Sequence, residues 1–150
     1  MMLMQANALT QAMIDNAWLF PAAECVHIAS FALAIGTIAL VDLSLLGVGL
    51  QRKAAGQIAR STSLWTLTGL VLIIFTGLLL FASDPDMYLR NSSFRFKITC
   101  LVLAIIYNYT IHRKVALSEN GSGMGTKLVA VVSLALWISV VFGGLFIAFV

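Results

Sequence analysis

The sequence predicts an all-α integral membrane protein, an up-down-up-down four-helix bundle preceded by a short amphipathic surface helix. Three observations predict it. The 150 residues are 61% hydrophobic and only 10% charged, with a mean hydropathy of +1.00, whereas an ordinary soluble domain is about a quarter charged. Two runs of 23 residues, Ser61 to Ser83 and Leu128 to Val150, carry no charge at all; about 20 helical residues cross a hydrocarbon core. The connections between apolar runs are short, which favours antiparallel neighbours. The same numbers exclude other classes. Disorder needs polarity and net charge, a disulfide scaffold needs more than two Cys, and nine Lys and Arg without a basic stripe are no nucleic-acid signal.

Before the first span, Leu9, Met13 and Ala17 recur at helical spacing, with Gln11 and Asp15 on other faces. Trp18 and Phe20 follow as an aromatic anchor, and Pro21 starts the span. The first residues lack a basic region of the signal-peptide kind. The spans are placed at about 22–50, 61–83, 94–115 and 127–149, in a single domain covering 1–150 with no internal repeat. The first and third are less clean than the others, with charge-free centres of 14 residues each, Ile28 to Val41 and Ile98 to Ile111. Residues 51–60 read as a turn of helix, Ser83-Asp84-Pro85-Asp86 as a turn cluster, and Ser118 to Gly125 as a flexible loop.

Orientation follows from Lys and Arg in the loops. Six of the nine, Arg52, Lys53, Arg60, Arg113, Lys114 and Lys127, lie in the first and third connections. That end is expected in the cytoplasm of a bacterium, which leaves both termini periplasmic, although Arg95 and Lys97 sit against the rule.

Ionisable groups inside a bilayer are costly and usually face the bundle interior. On the first span Glu24, His27, Phe31, Ala34, Ile38 and Asp42 share one helical face; on the third, Lys97, Leu101, Ala104, Asn108 and His112 share one, with Cys100 beside it. The second and fourth spans offer only Thr68, Thr76, Ser133 and Ser139 and read as walls, with Gly69, Gly77, Gly143 and Gly144 allowing close approach. Ala29, Ala32, Gly36 and Gly47 form a small-residue stripe on the back of the first span. Fifteen residues separate His27 from Asp42 and Lys97 from His112, or about 22 Å at 1.5 Å per residue. This divides the polar residues into an outer tier (Glu24, Cys25, His27, Arg95, Lys97, Cys100) and an inner tier (Asp42, Asn108, His112, near Arg113 and Lys114). His112 heads a basic run that suits a cytoplasmic helix end, and Asp42 can pair with a cation of that run as a structural lock. His27 can be a structural histidine bonded to Glu24 or a carbonyl, or a ligand.

The first span, ECVHIASFALAIGTIALVDLSLLG, resembles the first helix of small bacterial four-helix membrane proteins. In the third span Phe94, Lys97, Ala104 and Asn108 resemble the F-x-x-K…A-x-x-N pattern of the CopD copper-resistance membrane domain. The pairing of His27 and Lys97 is similar to that of the HemJ-type protoporphyrinogen oxidases, which are four-helix haem b proteins.

Three functions follow. The first is a haem b protein in electron transfer or a quinone-linked role, with His27 as axial ligand, Ala34 and Ile38 as slot, and Arg95 with Lys97 on the propionates. His27 and His112 differ by about 20 Å in depth and cannot clamp one iron within a chain. The second is copper handling, drawing on Met1, Met2, Met4, Met13, Met87, Cys25, Cys100 and His27, where the methionines also read as simple apolar fillers. The third is a non-catalytic subunit or assembly factor of a larger membrane complex, without cofactor. Expected partners are the lipid bilayer, a quinone or redox protein, and a second copy or a membrane complex, with no nucleic acid.

Overall fold

A computed structural model describes residues 15–118 and 123–149, together with Gln11. Leu9, Met13 and most of the expected surface helix lie outside the described residues. Eight elements organise the rest: α1 (Leu19–Leu46), α2 (Ala55–Ser61), α3 (Ser63–Ser83), α4 (Pro85–Arg90), α5 (Ser92–Tyr107), a π-helical turn (Asn108–His112), α6 (Arg113–Leu117) and α7 (Met124–Phe146). Four helices, with α5 running on through the π-turn and α6, are long and apolar enough to cross a membrane. The protein is thus an all-α bundle of four candidate spans.

Helix ends follow local chemistry. α1 begins at Leu19, so Pro21 occupies its first turn, where a missing N–H costs nothing. It stops at Gly47, four residues earlier than the sequence suggested, because Gly47 at φ 72° turns the chain left-handed. Its N–H donates to the Ser44 carbonyl, and Val48 N–H donates to that of Leu43, as in a glycine-capped helix end. The Asp84 carboxylate accepts from Met87 N–H at 3.0 Å to start α4. The Asn91 side chain accepts from Phe94 N–H at 3.0 Å to start α5, while its amide donates to the Ile147 carbonyl beyond α7 at 2.9 Å.

Contacts across the bundle give its register. Between α1 and α3, His27 meets Thr76, Ala34 meets Gly69 and Thr37 meets Thr66. In every pair the numbers sum to the same value, as antiparallel helices require. Between α1 and the α5 span, Phe31 meets Lys97 and Asp42 meets His112, so those two run parallel. Around the bundle the order is α3, α1, α7, α5, and α1–α3 and α5–α7 are the tightest pairs. The seam between α3 and α5 is looser and rests on side chains such as Phe81, stacked on Phe94 with centroids 5.7 Å apart.

Small residues explain the tight pairs. A Cβ on Gly69 would stand 3.0 Å from that of Ala34, and one on Gly143 would stand 3.0 Å from that of Lys97. Backbones approach closely only where side chains are absent. Gly36, on the opposite face of α1, has nothing within 4 Å of that position; the stripe it shares with Ala29 and Ala32 is exposed. The middle of the bundle is an apolar cluster of Ala34, Ile38, Leu70, Ile73, Cys100, Ala104, Trp137 and Val140. A smaller one, Val41, Leu45, Ala55, Ala116 and Ala130, closes the basic end. Large apolar side chains such as Leu64, Phe75, Leu78, Leu128 and Phe142 cover the outside, as lipid-facing helices do.

Candidate functional site

Polar groups gather at two depths, and the inner centre is the more complete. Asp42 is fully buried, at 0% exposure. Nε2 of His112 donates to one carboxylate oxygen at 2.6 Å, and the Ser133 hydroxyl donates to the other at 2.9 Å. His112 comes from the π-turn after α5 and Ser133 from α7, so three of the four spans meet on one carboxylate. π-turns recur at functional sites because the wider turn re-aims side chains. By sequence the fourth span reads as a wall. The structure corrects that, because Ser133 faces inward on the same side of α7 as Ala130, Trp137 and Val140, all buried. The centre holds the residue types of a hydrolase triad, but the serine donates to the aspartate and not to the histidine. No nucleophile is activated in that arrangement.

The remaining ring nitrogen of His112, Nδ1, has no hydrogen-bond partner among the described residues. His112 lines a cleft of about 30 Å³ together with Thr62, Ser63, Thr66, Asn108 and Arg113. Asn108 is buried there, as the shared helical face predicted. Above the cleft the Thr37 and Thr66 hydroxyls meet at 2.8 Å. The apolar middle cluster follows, led by the Ala34–Gly69 contact.

The outer centre is built differently. Nδ1 of His27 lies 2.7 Å from the Thr76 hydroxyl, which donates its single hydrogen to the Leu72 carbonyl at 2.6 Å. The histidine must therefore donate, which fixes its proton on Nδ1 and leaves the lone pair on Nε2. Gly77 makes room for the ring, since a Cβ there would stand 3.3 Å from Cε1. This corrects the reading of the second span as a wall: Thr76 orients His27, and Thr66 pairs with Thr37. Phe31 packs edge-on to His27 with centroids 5.1 Å apart, and the Lys97 ammonium lies 5.0 Å above the Phe31 ring. The Lys97 stem runs along Gly143 and Gly144. Among the described residues the one contact between a basic side chain and a carboxylate is Asp42–His112, so Lys97 holds no carboxylate among them.

The other expected site residues fall outside these centres. Glu24 and Arg95 are exposed. Glu24 acts on Tyr88 instead, whose hydroxyl is held above the ordinary tyrosine range by burial first and then by the charges of Glu24 and Asp84. Cys25 is exposed, and Cys100 is buried in the middle cluster. Among the described residues no group of three His, Cys, Asp or Glu could hold a metal ion, and Met1, Met2, Met4 and Met13 lie outside them. Ala34 and Ile38 do not fit the role of a haem slot. They are 0% and 3% exposed and close-packed against α3 and α7.

One comparison bears on kinship: residues 17–150 match the profile of a family of unknown function, DUF6644. The chain belongs to that family. Comparison with curated proteins and with solved structures gave no match. Family membership therefore covers all four spans and both centres, and leaves their chemistry to be argued from geometry.

Proposed function

We propose that this DUF6644 protein is a multi-pass protein of the bacterial inner membrane that handles protons at the Asp42–His112–Ser133 centre, as a relay module serving a larger membrane complex or a second copy. Six of nine cationic residues, on the first connection, α2, α6 and the start of α7, support a cytoplasmic position for that end, with both termini periplasmic. The observation that carries the proposal is the fully buried Asp42 carboxylate, with both oxygens engaged by groups from other helices. A pure lock has cheaper solutions, because apolar residues of similar volume replace a buried ion pair at little or no loss of stability. An ionisable pair inside the spans marks a functional site by default, and a proton is what this pair can exchange. With aspartate ionised and histidine neutral the pair carries one negative charge; a proton arriving at Nδ1 makes it a net-neutral ion pair.

Proton uptake by the purified protein in nanodiscs tests this. The wild type takes up one proton per chain at the centre as the pH falls, and Asp42→Asn, with its shape retained, takes it up only at lower pH, because the imidazolium loses the carboxylate that neutralises it. Uptake at the same pH in both proteins overturns the reading.

A second reading rests on His27. Its Nε2 lone pair, fixed by the Thr76 hydrogen bond, is available to a metal or to haem b iron, with Lys97 as a cation for a propionate; the wall of such a site would have to come from outside the packed core. A visible spectrum and an elemental assay of the purified protein test it. A Soret band or stoichiometric copper that disappears in His27→Ala supports it, and a colourless, metal-free protein overturns it.

A further inference from the structure

We infer that the cleft beside His112 is a water-binding proton-entry site that connects the inner centre to the cytoplasmic end alone. The inference rests on the proton reading of the Asp42 centre and adds to it a route, a sidedness and a set of residues. Three observations meet there. The cleft offers about 30 Å³, and a cavity of about 10–15 Å³ by the same measure already holds one water if polar partners are present. Its lining supplies those partners: the Thr62, Ser63 and Thr66 hydroxyls, the Asn108 amide and the His112 ring. Nδ1 of His112 has no hydrogen-bond partner among the described residues, while Nε2 is held by Asp42 at 2.6 Å.

The chemistry balances without a further reactant. A hydronium in the cleft gives its proton to Nδ1 and leaves as water. Nε2–H stays on Asp42, and the histidine becomes an imidazolium paired with the carboxylate. Release runs the same steps backwards. Among the described residues, charged and titratable groups stand near the centre on each packed element. α1 supplies Asp42; the span of α5 supplies Tyr107, within electrostatic reach of Asp42, and Tyr109 and Arg113 on the cleft wall. α2 carries the exposed Arg60, and α7 supplies the neutral Ser133 and carries the exposed Lys127 near its start. The cations at the mouth oppose a resident metal cation, whereas a transferred proton is neutralised at once by Asp42.

Access is one-sided because the polar lining stops. Beyond the Thr37–Thr66 pair the α1–α3 interface closes on Ala34 and Gly69, whose atoms leave no room for even a methyl group. Leu70, Ile73 and Val140 continue the apolar cluster beyond, and Ile38 is the apolar side of the cleft itself. The mouth is bounded by α2 and α6, which touch where a Cβ on Gly56 would stand 3.1 Å from the Ala116 carbonyl oxygen. Ala59, on the cleft wall, is half-buried.

Nitrogen-15 spectra of the two histidines, in full-length protein oriented in proteoliposomes, read this out. His112 is expected to titrate with the pH of the compartment at the basic end and to ignore the opposite one. Ala59→Leu, which narrows the cleft without touching the Asp42 hydrogen bonds, is expected to slow proton exchange at His112 about tenfold. Thr66→Val removes a lining hydroxyl and is expected to slow it less. Titration from the opposite compartment overturns the route, and so does unchanged exchange in both variants. In either case a wild-type His112 that still titrates leaves the proton reading of Asp42 standing. A His112 that takes up no proton from either compartment overturns both. A saturable shift of His112 by sodium at constant pH makes the cleft a cation site and overturns the proton assignment.

Discussion

The two polar centres solve the same problem in opposite ways. At the inner end a carboxylate lies wholly buried, and two other spans each send a donor to it. At the outer end the ionisable groups stay near a boundary: His27 is held by one hydroxyl from α3, and Lys97 lies along α7 with its ammonium over the Phe31 ring. Depth decides the difference. A group near the interface can reach water by extending its stem, whereas Asp42 has a short side chain and no water-facing path of its own. It must find donors inside the bundle, and doing so ties α1, α7 and the π-turn together. The inner centre therefore ties three spans together, and the outer one rests on a single cross-helix hydrogen bond.

Substitutions can break that contrast. The largest effect is expected at His112→Ala, which leaves a buried carboxylate without the partner on one of its oxygens and costs about 3–5 kcal/mol, read as loss of the folded bundle on titration with denaturing detergent. If His112→Ala costs no more than His27→Ala, the inner centre does not hold the bundle together. Next comes the backbone approach. Gly69→Ala puts a methyl 3.0 Å from Ala34 and its backbone nitrogen, and overpacking of this kind costs about 1–3 kcal/mol. Gly36→Ala, in open space on the same bundle, is expected to gain up to about 1 kcal/mol from helix propensity. A similar loss at both glycines would mean that the α1–α3 interface is not where the register places it.

Smaller effects sharpen the comparison. Ser133→Ala removes one donor from Asp42 at about 1 kcal/mol, and Thr76→Val removes the donor's partner at His27 at about 0.6 kcal/mol, typical of interhelical hydrogen bonds in membranes. Thr76→Val carries a second readout that a structural role would not move. It frees the His27 tautomer, so the nitrogen-15 spectrum should show the proton shared between Nδ1 and Nε2. The smallest change is expected at Lys97→Met, within about 0.5 kcal/mol, since the stem packing along Gly143 and Gly144 is kept and no ion pair is lost.

Much of this was legible in the sequence, and the limits are instructive. The four spans follow from charge-free length, and the inward faces of α1 and α5 follow from helical spacing: His27, Ala34, Ile38 and Asp42 are all buried, as are Ala104, Asn108 and His112. The pairing of Asp42 with a cation of the His-Arg-Lys run was foreseeable from shared depth. What escaped was the part played by weak polar groups. Thr66, Thr76 and Ser133 look like incidental hydroxyls in apolar helices, because a lone Ser or Thr satisfies itself on the carbonyl of the preceding turn. Which hydroxyl points inward depends on helix rotation, and rotation is set by the neighbours. The π-turn was invisible for the same reason, since Asn108 to Ile111 carries no Pro or Gly to mark it.

The sequence alone determined the class, the number of spans, the two depths of polar residues and the basic end, because each depends on composition or on spacing along one helix. Only the tertiary structure decided that α1 lies between α3 and α7, that Ser133 and Thr76 complete the two centres, and that Ala34 and Ile38 close against their neighbours. Those outcomes depend on which helix faces meet. Where glycines let backbones approach, the meeting faces are chosen by the fit of pairs, and a single strand of sequence does not contain the pair.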